Sequence, residues 1–194
     1  MQSTDNELRI HVYGHESADP LSVALAFSGT YSQEVHSQSD LAIFVVNPAT
    51  GIDQQTIDLW QGFDEFQVPR LVVVTQLEKS EADFDDAVML ANRVFDQVIT
   101  PYLVLHDDQG LPVALISLAD LRIIDYSTNP PSEIACEEEH RTLVKEFREE
   151  YVEKFESDGE NSFAAGLQFP AIPLWIDKGI GVDKVKDLIK QLVI

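Results

Sequence analysis

The sequence predicts an α/β fold in which a parallel sheet carries helices on both faces. Two unbroken apolar runs, at residues 41–46 and 71–75, flank one polar helical segment. Continuous apolar strands of this kind are typical of strands that are buried on both faces of a parallel sheet. Strand and helix patterns alternate up to about residue 96 and again after residue 168. This alternation indicates parallel strands that are joined by right-handed helical crossovers.

The first half of the chain contains three strand and helix pairs. Asp19 and Pro20 suit the N-cap and the first turn of the first helix. A polar connector at residues 30–40 separates that helix from the next strand. We expect strands at residues 8–13, 41–46 and 71–75, and helices at residues 21–29, 53–66 and 83–95.

The middle of the chain departs from this alternation. Three short extended runs at residues 101–105, 113–117 and 121–126 precede a long helix at residues 137–155, and the turn at residues 107–110 predicts a hairpin. Four apolar side chains recur on this helix at i, i+4 spacing and predict a buried stripe: Leu143, Phe147, Tyr151 and Phe155.

A last strand at residues 169–176 and an amphipathic helix at residues 182–194 return to the α/β pattern. We therefore predict an α/β domain formed by residues 1–96 and 169–194. Residues 97–168 are predicted to form an inserted α+β subdomain.

The composition limits the classes of partner. The formal net charge is -21, with 34 acidic and 13 basic residues, which argues against direct binding to nucleic acid or to an anionic membrane surface. The charge permits a basic protein partner, although general solubility or the acidic proteome of a salt-tolerant organism explains it equally. No apolar run approaches the ~18 residues of a membrane span, and residues 1–9 do not resemble a signal peptide.

Cysteine and histidine usage is uninformative about chemistry. Cys136 is the single cysteine, so no internal disulfide forms and a cytoplasmic location is expected. Five histidines have no spacing that suits a metal, and we predict no metal site: His11, His15, His36, His106 and His140.

Short motifs in a fixed order resemble the guanine-nucleotide domain of bacterial elongation factor G. They are Ala49, Gly51, Gln55, Thr56, Trp60, Val68-Pro69-Arg70, Ala82-Asp83-Phe84, residues 115–121, residues 146–154 and Lys178-Gly179-Ile180-Gly181-Val182 followed by Leu188. The resemblance implies a P-loop-GTPase-like sheet, with the family's inserted subdomain between its last strands. It also implies a role in translation, with GTP or GDP and magnesium as ligands if the nucleotide site survives.

The phosphate-binding motif of that family is not matched. The family reads Ala-His-X-Asp-Ala-Gly-Lys-Thr-Thr, whereas this chain reads Gly14-His-Glu-Ser-Ala-Asp-Pro-Leu-Ser22. Asp19, Pro20 and Leu21 stand where the resemblance places the glycine, the phosphate-binding lysine and the magnesium-binding threonine. An aspartate repels phosphate, and proline has no N–H to donate.

The other nucleotide motifs differ as well. The Asp-X-Pro-Gly-His segment is absent, and residues 30–40 are too few for the family's two switches and the two strands between them. Thr75-Gln76-Leu77-Glu78 stands in place of the guanine-reading Asn-Lys-X-Asp. We therefore predict a degenerate GTPase domain with no catalytic residues and no bound cofactor. Its candidate nucleotide-contacting residues are Gly14, His15, Glu16, Ser17, Ala18, Asp19, Thr75, Gln76 and Glu78.

The acidic helix is the remaining functional candidate. Residues 133–160 contain eleven acidic and four basic side chains, a net charge of -7. By resemblance, this helix is expected to dock the ribosome or a basic, stalk-type protein. The proposed contacts are Glu146, Glu149, Glu150 and Glu153. The alternative is a solvated helix face without a partner.

Two further interpretations stay open. The chain is either a GTP-binding domain with an altered but working site, or a piece of a larger translation factor, because the family continues into another domain.

Overall fold

A computed structural model describes residues 7–79, 82–159 and 161–193; the sequence assignments for residues 1–6 and the charge of Glu160 lie outside this range. The elements in chain order are β1 (Ile10–Tyr13), α1 (Pro20–Ala26), β2 (Thr30–Tyr31), β3 (Leu41–Val46), α2 (Gln54–Gln61), β4 (Arg70–Val74), α3 (Phe84–Val94), β5 (Tyr102–His106), β6 (Pro112–Ser117), β7 (Arg122–Asp125), β8 (Ser132–Ala135), α4 (Glu138–Leu143), α5 (Lys145–Asp158), β9 (Ala171–Pro173) and α6 (Val182–Lys190).

Five strands form the predicted parallel sheet, in the order β2-β1-β3-β4-β9. Successive side chains of a strand point to opposite faces, so Ile43 and Val45 of β3 pack against α1 and α6, whereas Phe44 and Val46 pack against α2 and α3. Every residue of β3 and β4 is buried. The prediction of a parallel sheet with helices on both faces is confirmed.

The connector begins with a strand that the sequence analysis does not assign. Thr30 and Tyr31 form β2 and pair in parallel with His11 and Val12. Two residues are too few to show an alternating pattern, so only the pairing with β1 reveals this strand. The remaining residues, 32–40, fold back beside β1 before β3 begins, and we call residues 32–40 the connector below.

The segment between α3 and β9 contains a second, antiparallel sheet in the order β5-β6-β7-β8. The predicted hairpin turn joins β5 and β6, because the Gly110 N–H donates to the Asp107 carbonyl over 3.0 Å. β8 was not predicted. All four of its residues are exposed, so this edge strand has no buried face that would create a hydrophobic pattern.

The predicted long helix is wrong in one respect, because it is divided into α4 and α5 at Val144. Val144 is buried and packs with Tyr151 against Ala114 and Ile116 of β6. The predicted buried stripe is also wrong at three of its four positions, whereas Tyr151 does pack on the core. The exposed fractions of Leu143, Phe147 and Phe155 are 70%, 46% and 41%.

Two basic side chains on α5 explain why its inner face does not look apolar in the sequence. Arg148 Nη1 donates to the Leu118 carbonyl over 3.1 Å, and Lys154 Nζ donates to the Val98 carbonyl over 2.9 Å. Their aliphatic stems cover the sheet while their charged heads bind backbone oxygens. Burial lowers the pKa of Lys154. The inner face therefore carries Val144 and Arg148 beside Tyr151, which is the one member of the predicted stripe that packs on the core.

The loop between β9 and α6 joins the two sheets. Ile180 of this loop packs with Leu115 and Ile124 of the antiparallel sheet, and the Tyr126 hydroxyl donates to Asp183 Oδ1 over 2.7 Å. Cys136 is buried in the adjoining core, and burial raises the pKa of its thiol. Within the described residues, none of the helices has the length and apolarity needed to traverse a bilayer.

Candidate functional site

The carboxyl ends of β1, β3 and β4 meet at one edge of the parallel sheet, where Gly14, Asn47 and Thr75 follow the three strands. The chain leaves β1 towards β2 on one side, while β3 lies on the other side. Ligands of open α/β sheets bind in the crevice at such a change of direction. This edge is therefore the candidate site, and the predicted residues 14–19 and 75–78 both lie there.

The loop after β1 requires glycine at its first position. Gly14 has a φ of +150°, and a Cβ atom there would lie 2.6 Å from the Val45 carbonyl oxygen. Glycine allows β1 to turn this close to the backbone of β3.

The backbone N–H groups of this loop donate inside the loop itself. The N–H groups of Ala18 and Asp19 each donate over 3.0 Å, to the carbonyls of His15 and Glu16. The Ser17 N–H donates to His15 Nδ1 over 3.2 Å. These short-range bonds form a 3₁₀ turn at residues 16–18. The N–H groups of Ser17, Ala18 and Asp19 are therefore used within the loop and are not directed at an external anion.

The first turn of α1 also has N–H groups that are bound within the chain or missing. Asp19 lies in the left-handed region, at a φ of +57°, and its Oδ1 accepts the Ser22 N–H over 3.3 Å. Pro20 follows as the first helical residue and has no N–H. The carboxylate of this chain therefore takes the place at the helix end that an anionic ligand would otherwise favour.

Side chains from the neighbouring strand ends hold the loop in position. Thr75 Oγ1 donates to the Ala18 carbonyl over 2.7 Å, and Asn47 Nδ2 donates to the Ser17 carbonyl over 2.9 Å. Ser17 Oγ also lies 2.8 Å from Thr50 Oγ1. The sequence prediction of site residues does not include Asn47 and Thr50. Their position just after β3 places them at the edge of the sheet that holds the site, and this position would have indicated them.

Two cavities lie on opposite sides of the loop. The first cavity measures about 220 Å³ and is lined by Asp19, Ser22, Val23, Thr75, Gln76, Glu78, Leu174, Trp175, Ile176 and Asp177. The second cavity measures about 240 Å³ and is lined by Gly14, His15, Glu16, Tyr31, Ser32, Gln33, Asp53, Gln55, Thr56 and Leu59. The predicted site residues are thus divided between two cavities, and Ser17 and Ala18 line neither of them.

The first cavity is acidic. Asp19, Glu78 and Asp177 contribute carboxylates, and the described residues that line it include neither lysine nor arginine. Gln76 adopts a φ of +58° at its rim. A polyphosphate placed here would meet like charge without a neutralising side chain. Among the described residues, there is also no group of three or more His, Cys, Asp or Glu arranged to hold a metal ion.

The proposed partner contacts on α5 form a second candidate surface. Glu146, Glu149, Glu150 and Glu153 are all exposed. At 3.6 residues per turn, their side chains fall within an arc of about 100° on the helix. Lys145 pairs with Glu149 over 3.8 Å, while Arg148 and Lys154 point inwards. We call these four glutamates the acidic face.

Comparisons with known proteins identify relatives of this arrangement. Two curated proteins of Mycobacterium tuberculosis, from strains CDC 1551 and H37Rv and each named elongation factor G-like protein, are 31% identical over 164 residues. Each match covers 74% of this chain and 23% of the relative. An elongation factor G-like protein of Thermotoga maritima is 25% identical over 172 residues, which cover 79% of this chain and 25% of the relative. No protein-family model matches the chain.

The fold also has a solved counterpart. A crystal structure of a Thermus thermophilus protein superposes with a TM-score of 0.69 at 22% identity, covering 81% of this chain and 27% of that one. The chain spans about a quarter of the length of the curated relatives it matches. The sequence matches and the parallel-sheet topology agree, and the chain therefore carries an elongation factor G-like domain.

Proposed function

We propose that this translation-factor-like domain does not hydrolyse GTP and acts as an interaction module, docking the ribosome or a basic, stalk-type protein through its acidic face. The absence of hydrolysis is inferred from the loop N–H groups, which make their hydrogen bonds within the loop. Phosphate cradles depend on backbone N–H groups that point at the anion, together with a cation. Here the N–H groups of Ala18 and Asp19 are used internally, and Pro20 has none.

The distribution of positive charge supports the same conclusion. Between Met1 and Glu78 the basic residues are Arg9 and Arg70. Arg9 Nη2 pairs with Asp40 Oδ1 over 3.0 Å, and Arg70 is buried against Trp60 and Phe169. Phosphoryl transfer depends on electrostatic stabilisation of the developing negative charge. Neither arginine is in a position to provide it.

We expect the purified chain to release no phosphate from GTP above the uncatalysed background, with or without magnesium. The reason is the replacement of the phosphate and magnesium ligands by Pro20 and Leu21. A phosphate-release assay with an active translational GTPase as positive control measures this. Steady release that disappears when residues 14–22 are altered would contradict the proposal.

A second candidate function is nucleotide binding without hydrolysis. The acidic lining of the first cavity opposes the phosphates of a nucleotide, and the position of Glu78 is the observation that favours this candidate. The cavity lies beside Thr75, Gln76 and Glu78, where the resemblance places the guanine-reading motif, and the Glu78 carboxylate is able to accept from a guanine edge. Calorimetric titration with GDP, with and without magnesium, separates the two functions. Weak binding that magnesium does not change, and that Glu78→Gln abolishes, would establish this candidate.

The proposed docking of a basic partner rests on the acidic face. Because Arg148 and Lys154 bind backbone carbonyls on the inner side, the outer side of α5 presents mainly carboxylates. The potentials of clustered like charges add and steer a partner of opposite charge. Exposed ion pairs contribute only about 0–1 kcal/mol each, so the binding must be collective and sensitive to salt.

We expect charge reversal of the acidic face to abolish capture of the partner at low salt. The variant replaces Glu146, Glu149, Glu150 and Glu153 with lysine, and the measurement is a pull-down against ribosomes and isolated stalk protein at low and moderate salt. The matched control makes the same total charge change at scattered exposed sites, Glu34, Glu65, Asp108 and Asp120 to lysine. Equal capture by both variants, or capture that salt does not affect, would make the acidic face a solubilising surface only.

A further inference from the structure

The connector is fastened to β1 by two stacked histidines. The His11 and His36 rings lie 4.0 Å apart between centroids, with an angle of 12° between their planes. Each ring also contacts a connector serine: His11 Nδ1 lies 2.8 Å from Ser39 Oγ, and His36 Nε2 lies 2.8 Å from Ser32 Oγ. The stack therefore joins strand and connector through an arrangement that depends on the protonation of both rings.

The hydrogen bonds define where the first ring holds its proton. Ser39 Oγ donates its single hydrogen to the His36 carbonyl over 2.7 Å. It must therefore accept from His11, which carries its hydrogen on Nδ1. A second proton on His11 has to bind at Nε2, and it converts a neutral stacked ring into an imidazolium beside His36.

The surroundings oppose that charge. Burial lowers the pKa of His11, and the neighbouring His36 and Arg9 lower it further. The facing charged groups are Arg9 and Asp40, which pair with each other over 3.0 Å, so the Asp40 carboxylate is not free to compensate an imidazolium. Two like charges at about 4 Å repel strongly outside bulk water.

A buried hydroxyl lies beneath the same part of the connector. Tyr13 is fully buried, and its hydroxyl has no hydrogen-bond partner among the described residues. Burial raises the pKa of Tyr13 to about 12, although the hydroxyl lies near the His36 backbone and the Ser39 side chain. The connector therefore covers the Tyr13 hydroxyl when it lies against β1.

We propose that the His11–His36 stack is a pH-sensitive latch, which releases the connector from β1 when His11 is protonated and thereby opens the second cavity. Ser32 and Gln33 of the connector form part of the wall of that cavity. The latch is independent of nucleotide and of the acidic face, so its failure and the failure of the proposed function are separate results.

The direction of the pH effect follows from linkage. Histidine in an open, solvated connector titrates near its ordinary pKa of about 6.5, whereas His11 in the closed state takes up its proton only at lower pH. The open state thus binds more protons below that value, and closure weakens as the pH falls. Above it, His11 is neutral in both states and the latch stays closed.

Hydrogen exchange of the full chain tests the latch at pH 7.5 and 5.5, after correction for intrinsic exchange rates. We expect peptides within residues 32–40 to lose protection by about tenfold or more at pH 5.5, while peptides of β3 keep theirs. His36→Phe keeps a stacked ring but removes the group that faces His11, so it should weaken the pH response without abolishing it, because burial alone still lowers the pKa of His11. His106→Gln, which changes an exposed histidine outside the latch, should preserve the response.

Two results would overturn the latch: equal protection of residues 32–40 at both pH values in the native sequence, or an undiminished pH response in His36→Phe. If His36→Phe does not fold, the titration of the two imidazoles in the native chain, followed by nuclear magnetic resonance, decides. Two coupled transitions, with His11 titrating below the ordinary histidine value, support the latch. Independent titration of both rings at that ordinary value contradicts it.

Discussion

Replacement of Gly181 by alanine is expected to destabilise the domain by about 2–5 kcal/mol, which is a large part of the stability of an ordinary domain. Gly181 has a φ of +77°, and a Cβ atom there would overlap the carbonyl oxygen of Pro173 in β9. Backbone atoms within a buried strand cannot move aside as a flexible side chain can. The substitution therefore strains both the turn before α6 and the edge of the parallel sheet.

Gly179 supplies the matched control, two residues earlier in the same loop. Its φ is +72°, but no atom lies within 4 Å of the position that its Cβ would take. Gly179→Ala should cost only the penalty for the left-handed conformation, about 1–2 kcal/mol. Urea unfolding followed by tryptophan fluorescence measures both variants. Equal losses would show that backbone strain, and not the approach to Pro173, fixes glycine at position 181.

The parallel sheet was predictable because its strands are chemically unambiguous. β3 and β4 are buried on both faces, so every position must be apolar, and β-branched residues suit such a strand. β8 has the opposite character. Its four exposed residues form a strand only because β7 offers hydrogen bonds along its edge. Pairing with β7 does not require any particular residue pattern in β8, so the local sequence does not indicate the strand.

The prediction for the helix at residues 137–155 was wrong for a related reason. A pattern of Leu143, Phe147 and Phe155 favours one buried stripe, but the break at Val144 turns α5 so that Arg148 faces the sheet. The partners of its guanidinium and of the Lys154 ammonium are backbone carbonyls on distant elements. Sequence periodicity counts such residues as polar and assigns them to solvent, although their stems pack inside.

The sequence indicated which strand ends carry the candidate site residues, but not how these residues are arranged. Residues that follow parallel strands must share one edge, which brings Asp19 and Thr75 together as predicted. The hydrogen bond from Thr75 to the Ala18 carbonyl, which holds the loop against the end of β4, connects residues 57 positions apart. Its existence depends on the assembled sheet, so no local motif indicates it.

Arg70 is the second position where one substitution should have a large effect. Its side chain is buried between two aromatic rings, with the guanidinium carbon 4.6 Å from the Trp60 ring centroid and 4.4 Å from that of Phe169. Nη1 donates to the Trp60 carbonyl over 3.0 Å and to Asp64 Oδ1 over 2.9 Å. Arg70→Met should therefore cost about 2–4 kcal/mol, since it removes both cation–π contacts and one of the donors to the Trp60 carbonyl, which keeps the Phe63 N–H.

The planar guanidinium, and not the positive charge alone, is the basis of this expectation. Arg70→Lys keeps the charge but cannot stack between two rings while it binds the Trp60 carbonyl, so we expect it to lose nearly as much stability as Arg70→Met. Asp64→Asn is the control. The Asp64 side chain is 54% exposed, and half-exposed ion pairs of this kind contribute less than about 1 kcal/mol. Urea unfolding of the three variants decides, and a lysine variant as stable as the native chain would mean that charge alone holds this end of β4.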